Sequence, residues 1–199
     1  MCLFFETIRI VNGVPQHLAR HERRMQKTMD EFWPGNKPSG LSNHLIVPSE
    51  FSTGIIRCNV SYNQEVSDIT FKPWLAKKIR SLKLVHCNTI DYHVKYRDRT
   101  SLEMLLAMKE KCDDILIVMN GLITDTSLSN LVFYNGATWV TPKKPLLKGT
   151  CRERLLEEGQ ITECDIHVNE INRFIGCKLI NAMRLPEEEE MIMISNILS

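Results

Sequence analysis

The sequence predicts an α+β fold in two lobes, and three observations carry that reading. Residues 3–74 read as strands around one amphipathic helix. Residues 75–81 are polar and basic and interrupt the pattern. Beyond them, strands and helices mix in short alternation. This sets a small N-terminal α+β domain at 1–76 and a larger α+β domain at 77–199, with 75–81 as the link. Ligand sites lie preferentially between such lobes.

Residues 3–11, LFFETIRIV, have the composition of a strand, and Asn12-Gly13 is a strong hairpin signal. Val14 to Leu18 forms the return. From Leu18 the apolar residues Met25, Met29 and Phe32 or Trp33 fall at helical spacing, and Pro34-Gly35 ends the helix. Residues 36–50 read as loop with a short helix, 54–62 and 69–74 as strands, and 79–87 as the first strand of the second half. A helix over 101–111 follows the stretch YHVKYRDRTSLEMLLAM. DILIVMNG (114–121) is a strand ending in an Asn-Gly turn, against which Ile123–Asp125 pairs back. NLVFYNGATWVTP (130–142) predicts a second hairpin. Gly149 opens a helix that Gly159 stops. Residues 164–171 read as strand plus turn, KLINAM (178–183) as a buried strand, and PEEEE (186–190) as a solvated acidic turn. MIMISNIL reads as a last strand or short helix.

The 199 residues are 43% hydrophobic and 25% charged, an ordinary globular balance. A net charge of +1 gives no bulk attraction to nucleic acid or membrane, and no basic, aromatic-rich face suits a nucleic-acid module. No apolar run reaches transmembrane length, and the N-terminus lacks the basic region and cleavage site of a signal peptide. Seven scattered cysteines without a CxxC pair suit reduced thiols of the cytoplasm. His86 beside Cys87, and Cys164 near His167, fit no standard zinc spacing, so no metal site is predicted.

Candidate chemistry centres on Lys95, where a strand-like run gives way to a helix-like one. A lysine amine is a nucleophile once burial or a neighbouring cation depresses its pKa, and Arg97 and Arg99 stand close in sequence. The alternative is a solvated surface lysine. Four further places suit an anion or a cofactor. His21 and Arg24 share a helical face, and an arginine grips phosphate with parallel donors; the alternative is a charged solvent face. Thr126 to Asn130 is a hydroxyl-rich turn that can ring a phosphate or simply connect a hairpin. Gly149-Thr150-Cys151-Arg152 opens a helix whose first amides favour an anion, or is only a cap. Asp125 is an acid closing a strand, able to face a pyridine nitrogen or to start a turn.

In order and spacing these segments resemble the fold-type IV pyridoxal phosphate enzymes, the class IV aminotransferase family. FETIRIVNGVPQHLARHERRM resembles its N-terminal strand, turn and HxxRL helix. HVKYRDR resembles its lysine segment, ITDTSLSNLVFYNGATWVTP its T-E-x-x-x-S/A-N stretch and hairpin, and GTCRERLL its G-[IV]-[TM]-R helix start. LINAMRLP is similar to the late N-A-L-M segment of the 4-amino-4-deoxychorismate lyases within that family.

The resemblance implies pyridoxal 5'-phosphate held between the lobes, with Lys95 as Schiff-base lysine and proton shuttle. It implies that Asp125 pairs with the pyridinium nitrogen. Arg24 and the amides of Thr150 and Cys151 would bind phosphate. Ser129 and Asn130 would line the pocket, with Asn181 and Ala182 approaching from a late loop. It also implies a cytoplasmic homodimer acting on a small-molecule amine, releasing pyruvate to give 4-aminobenzoate for folate synthesis. A class IV aminotransferase of branched-chain or D-amino acids, and a non-catalytic binding protein retaining the fold, are the alternatives. Three departures from the family pattern stand out. Asp125 replaces the usual Glu, the chain begins at FET, and its length is short for the group.

Overall fold

The computed structural model describes residues 3–36 and 40–199. Cys2 and residues 37–39 of the expected 36–50 loop lie outside them. The described residues form two compact units. One runs up to Ala76 and takes back Val94–Asp98, and the other comprises 77–93 and 99–199.

The first unit is an antiparallel sheet ordered β2-β1-β3-β4, from β1 (Phe4–Val11), β2 (Val14–Pro15), β3 (Ile55–Tyr62) and β4 (Val66–Pro73). Alternation decides which side chains enter the core: Phe4, Ile8 and Ile10 of β1 join Ile56, Cys58, Val60 and Tyr62 of β3. Asn12 and Gly13 turn the chain with φ of 49° and 80°, the left-handed pair that a two-residue hairpin loop requires. Helix α1 (Leu18–Phe32) lays Met25 and Met29 onto the same core, and α2 (Leu41–His44) adds Leu41. Residues 94–98 lie beside the start of β1. Phe5 N–H donates to the Lys95 carbonyl (3.1 Å) and Arg97 N–H to the Leu3 carbonyl (2.8 Å). Val94 and Tyr96 pack into the unit's core, with the Tyr96 ring 5.4 Å from that of Phe4.

The second unit holds two sheets. One, ordered β13-β5-β6-β7, uses β5 (Leu82–His86), β6 (Asp114–Met119), β7 (Leu122–Thr126) and β13 (Ile197–Leu198). β5 and β6 are parallel, with α3 (Thr100–Leu106) in the crossover between them, and β6 is apolar along Ile115–Val118 because it is buried on both faces. The other, ordered β10-β9-β8-β11-β12, uses β8 (Asn130–Tyr134), β9 (Trp139–Pro142), β10 (Thr162–Cys164), β11 (Gly176–Ile180) and β12 (Ile192–Met193). Helix α4 (Thr150–Glu157) packs Leu155 against Val132 and Ile180.

Four expectations need correction. The helix expected over 101–111 ends as α3 at Leu106. It tightens into a 3₁₀ turn to Lys109 and stops where Glu110 adopts a positive φ. The strand expected at 164–171 lies earlier, at β10, and Val168–Arg173 is a 3₁₀ helix. Ile166 and Ile171 are both buried in one core; being five apart, they would face opposite ways on a strand. The strand expected over 178–183 runs Gly176–Ile180, so Asn181 and Ala182 stand in the turn after it. The acidic turn is not all solvated: Glu189 receives two bonds from the buried Arg184, at 2.9 and 2.7 Å. Its neighbour Glu190 is exposed and pairs with Lys78 (3.0 Å).

Candidate active site

In the first unit, β1 carries one acid on its buried face. Glu6 is fully buried among Phe4, Ile8 and Ile10. Arg24 Nε donates to its Oε1 (2.8 Å), Arg24 Nη2 donates to its Oε2, and His21 Nδ1 lies 2.7 Å from Oε2. Burial alone would push the Glu6 carboxyl up, but the Arg24 guanidinium and His21 outweigh it and hold it down at about 2. The face of α1 bearing His21 and Arg24 is therefore not a solvent face: His21 is buried and Arg24 half-buried. Glu6 was missed from the sequence although the signal was present. Alternation puts it on the face of Phe4 and Ile8, and an acid there requires a buried partner such as the HxxR pair.

Lys95 is half-buried in the same unit, its Nζ 4.4 Å from the centre of the Phe5 ring. Its proposed cationic neighbours have partners of their own. Arg97 donates to Ser61 Oγ (2.9 Å). Arg99, in the second unit, donates to Tyr92 Oη (3.1 Å) and the Ser127 carbonyl (2.6 Å).

In the second unit the structure brings together Asp125, Ser129, Asn130, Thr150, Cys151 and Asn181. Asp125 is the last residue but one of β7, and its side chain is buried. Asn130 Nδ2 donates to Oδ1 (2.7 Å) and the Leu147 N–H to Oδ2 (2.9 Å). Asn130 Nδ2 also donates to the Leu147 carbonyl (2.8 Å), closing a ring that fixes the carboxyl plane. Burial pushes Asp125 up to about 7, against the Leu147 amide, Asn130 and the more distant Arg152. Gly149 is required by close approach: a Cβ there would meet Asn130 Oδ1 at 2.1 Å. Thr150 and Cys151 begin α4, where helix geometry leaves the first amides without intrahelical acceptors.

The turn after β7 is held by its own hydroxyl. Thr126 Oγ1 accepts from the amides of Leu128 (3.3 Å) and Ser129 (3.0 Å). Asn181 fastens the late loop to that turn, its Nδ2 donating to Ser129 Oγ (2.9 Å) and the Leu128 carbonyl (3.2 Å). Its Oδ1 accepts from the amides of Met183 and Arg184. Ala182 makes none of these bonds and follows Asn181 in the turn. Leu147 was invisible to sequence reasoning because it acts through its backbone. Among the described residues no cluster of three or more His, Cys, Asp or Glu could hold a metal, and no helix is long and apolar enough to cross a membrane.

The model of the class IV aminotransferases matches residues 3–186. The chain belongs to the class IV aminotransferase family. Its relatives in that fold give the same picture. A protein of Haemophilus influenzae (strain ATCC 51907 / DSM 11121 / KW20 / Rd), described only as uncharacterised, is 38% identical over 181 residues, 90% of this chain and 96% of its own length. A crystal structure from Haemophilus somnus 129PT, provisionally named a 4-amino-4-deoxychorismate lyase, is 36% identical. It matches with a TM-score of 0.81 over 93% of this chain and 98% of its own. A Mesorhizobium loti structure, provisionally named an amino-acid aminotransferase, shares the fold at 19% identity, with a TM-score of 0.78 over 97% and 98% of the two chains.

Class IV aminotransferases are pyridoxal 5'-phosphate enzymes, and the residues present fit that cofactor. Asp125 is the decisive observation. A buried carboxyl held only by amide donors and pushed up to about 7 would be stabilised as the anion by a protonated ring nitrogen. The first turn of α4 offers amide donors of the kind a phosphate takes.

Proposed function

We propose that this class IV aminotransferase-family protein is a 4-amino-4-deoxychorismate lyase, releasing pyruvate and 4-aminobenzoate for folate synthesis, with Lys95 as its catalytic lysine. The observation that carries the reading is the 36% identity, across nearly the whole of both chains, to the Haemophilus somnus protein provisionally named for that activity. The proposal includes a homodimer, checked by light scattering in solution.

Bound pyridoxal phosphate supplies an electron sink for the carbon bearing the substrate's amine. Asp125 would keep the ring nitrogen protonated, and Asn130 with the Leu147 amide holds Asp125 in place. The first-turn amides of Thr150 and Cys151 would hold the phosphate. Ser129, with Asn181 and Ala182 beyond it, would lie beside the cofactor in the second unit. Lys95 Nζ takes the proton from the amine-bearing ring carbon. The ring carbon–oxygen bond to the enolpyruvyl group then breaks, and its electron pair leaves with the oxygen. The enolpyruvate gains a proton to become pyruvate, and the remaining ring is aromatic.

The test pairs spectroscopy with product analysis. Wild-type protein given pyridoxal phosphate is expected to develop the visible absorption of a lysine-bound cofactor, and Lys95→Ala to lack it. Wild type should then release pyruvate with no oxo-acid acceptor present. Strict dependence on 2-oxoglutarate would overturn the lyase in favour of an aminotransferase of branched-chain or D-amino acids. A folded protein that takes up no cofactor would leave only a binding protein of this fold.

A further inference from the structure

Lys95 sits in a stretch with no helix or strand of its own. Residues 92–99 contain a single isolated bridge, from Tyr96 to Phe4. Backbone bonds to Leu3 and Phe5 hold the middle of the stretch. The chain on either side of 94–98 belongs to the second unit, where Tyr92 is buried and Arg99 half-buried. A run without regular structure is ordered by the contacts made along it and at its ends.

Arg99 joins those ends. Its Nη1 donates to Tyr92 Oη (3.1 Å), and its Nη2 donates to the Ser127 carbonyl (2.6 Å). The Arg99 carbonyl accepts from the Glu103 N–H (2.8 Å) at the start of α3, which fixes the backbone that aims the guanidinium. Both side-chain bonds go to uncharged oxygens, and a planar guanidinium reaches two such acceptors at once where an ammonium does not. Ser127 lies two residues past Asp125 and two before Ser129. The same turn is also held by Thr126 Oγ1, which accepts from the Ser129 amide, and by Asn181, which donates to the Leu128 carbonyl. The turn thus has holds besides Arg99, and what Arg99 adds is a link from the turn to both ends of the Lys95 stretch.

We propose that Arg99 is a positioning residue that ties both ends of the Lys95 stretch to the turn after Asp125, and so keeps the Lys95 amine in place for the cofactor's aldehyde. The inference rests on the reading of Lys95 as the cofactor lysine, and it holds for a lyase and an aminotransferase alike. Joining amine and aldehyde forms a carbon–nitrogen double bond and releases water. How readily they join depends on how much freedom the amine gives up. Closing the run between Tyr92 and Arg99 removes part of that freedom before the cofactor arrives.

The test compares two forms of the cofactor on the full chain. Pyridoxal 5'-phosphate is titrated by the visible band of its lysine-bound form. Pyridoxamine 5'-phosphate, which has an amine in place of the aldehyde and cannot join a lysine, is titrated by calorimetry. Arg99→Gln should need about tenfold more pyridoxal phosphate for half of the band, through loss of charge-assisted bonds, while its affinity for pyridoxamine phosphate stays that of wild type. Arg99→Lys keeps the charge without the fork and should behave like Arg99→Gln. Tyr92→Phe removes one of the two acceptors and should shift the half-point in the same direction but less; it decides the matter alone if Arg99→Gln does not fold. Equal weakening of both cofactor forms would make Arg99 a structural support of the turn and overturn the inference. Full rescue by Arg99→Lys would overturn the two-acceptor tie. A wild-type band with an unchanged half-point in Arg99→Gln and Tyr92→Phe would overturn the inference and leave Lys95 as the cofactor lysine. A wild-type band that survives Lys95→Ala, or no band at all, would overturn the reading of Lys95 and the inference with it.

Discussion

Asp125 and Glu6 are both wholly buried carboxyls, and their surroundings drive them in opposite directions. Glu6 has a guanidinium and an imidazole against it and is held at about 2, whereas burial lifts Asp125 to about 7 against the pull of its amide donors. Stability must respond to both. Glu6 ionises more readily in the folded state than in the unfolded one. Its contribution is complete above about 4.5 and is lost as pH falls toward 2. Asp125 is the reverse: its contribution is complete below about 3.8 and is lost as pH rises through 7. Urea unfolding of the cofactor-free protein should therefore show stability falling from about pH 4 to pH 7, by on the order of a few kcal/mol. Asp125→Asn should flatten that arm and leave the acid arm in place. An unchanged slope in the variant would show that Asp125 does not titrate in this range. Asn130 and Leu147 reach the Asp125 carboxyl from two sides.

The elements that position these groups differ in how plainly the sequence announces them. β1, β3, β6 and the hairpin of β8 and β9 follow from alternation or from unbroken apolar runs. Two Asn-Gly pairs behave as the dipeptide predicts, with both residues at positive φ. At Asn135-Gly136 only the glycine does. There the Asn135 side chain accepts from the amides of Ala137 and Thr138 and makes a wider loop. What stays hidden has no signature in residue type or period: the 3₁₀ helix at Val168–Arg173, Glu189 under Arg184 five residues before it, and the Leu147 backbone at Asp125. The Glu6 pairing was recoverable from alternation, whereas the Leu147 amide has no side-chain signature. The start of α4 gives a sharp test. In Gly149→Ala the new methyl would displace the Asn130 amide and break its bonds to Asp125 and Leu147. A loss of about 1–3 kcal/mol for buried groups left unsatisfied is expected from denaturant midpoints, with weaker cofactor uptake. A neutral result would mean that Asn130 has room the structure does not show.

At the scale of the whole molecule, the chain leaves its first unit after Ala76, returns for Val94–Asp98 and leaves again. Those five residues bring Val94 and Tyr96 to the core and two backbone bonds to the start of β1. A fragment ending at residue 76 should accordingly melt without a cooperative transition. The same fragment joined through a flexible linker to residues 94–98 should regain one, as read by circular dichroism. Cooperative melting of the shorter fragment would show that the returning segment is dispensable.

That return also fixes an order of events during synthesis. The ribosome must add 22 residues beyond residue 76, up to 98, before the first unit can close. At typical elongation rates this takes roughly one to four seconds, long compared with the microseconds in which hairpins and helices form. The N-terminal sheet and α1 can thus assemble on the nascent chain and wait with one edge open. Lys95 arrives as part of the piece that closes it. The residue proposed to carry the chemistry is among the last fitted into its own half of the protein.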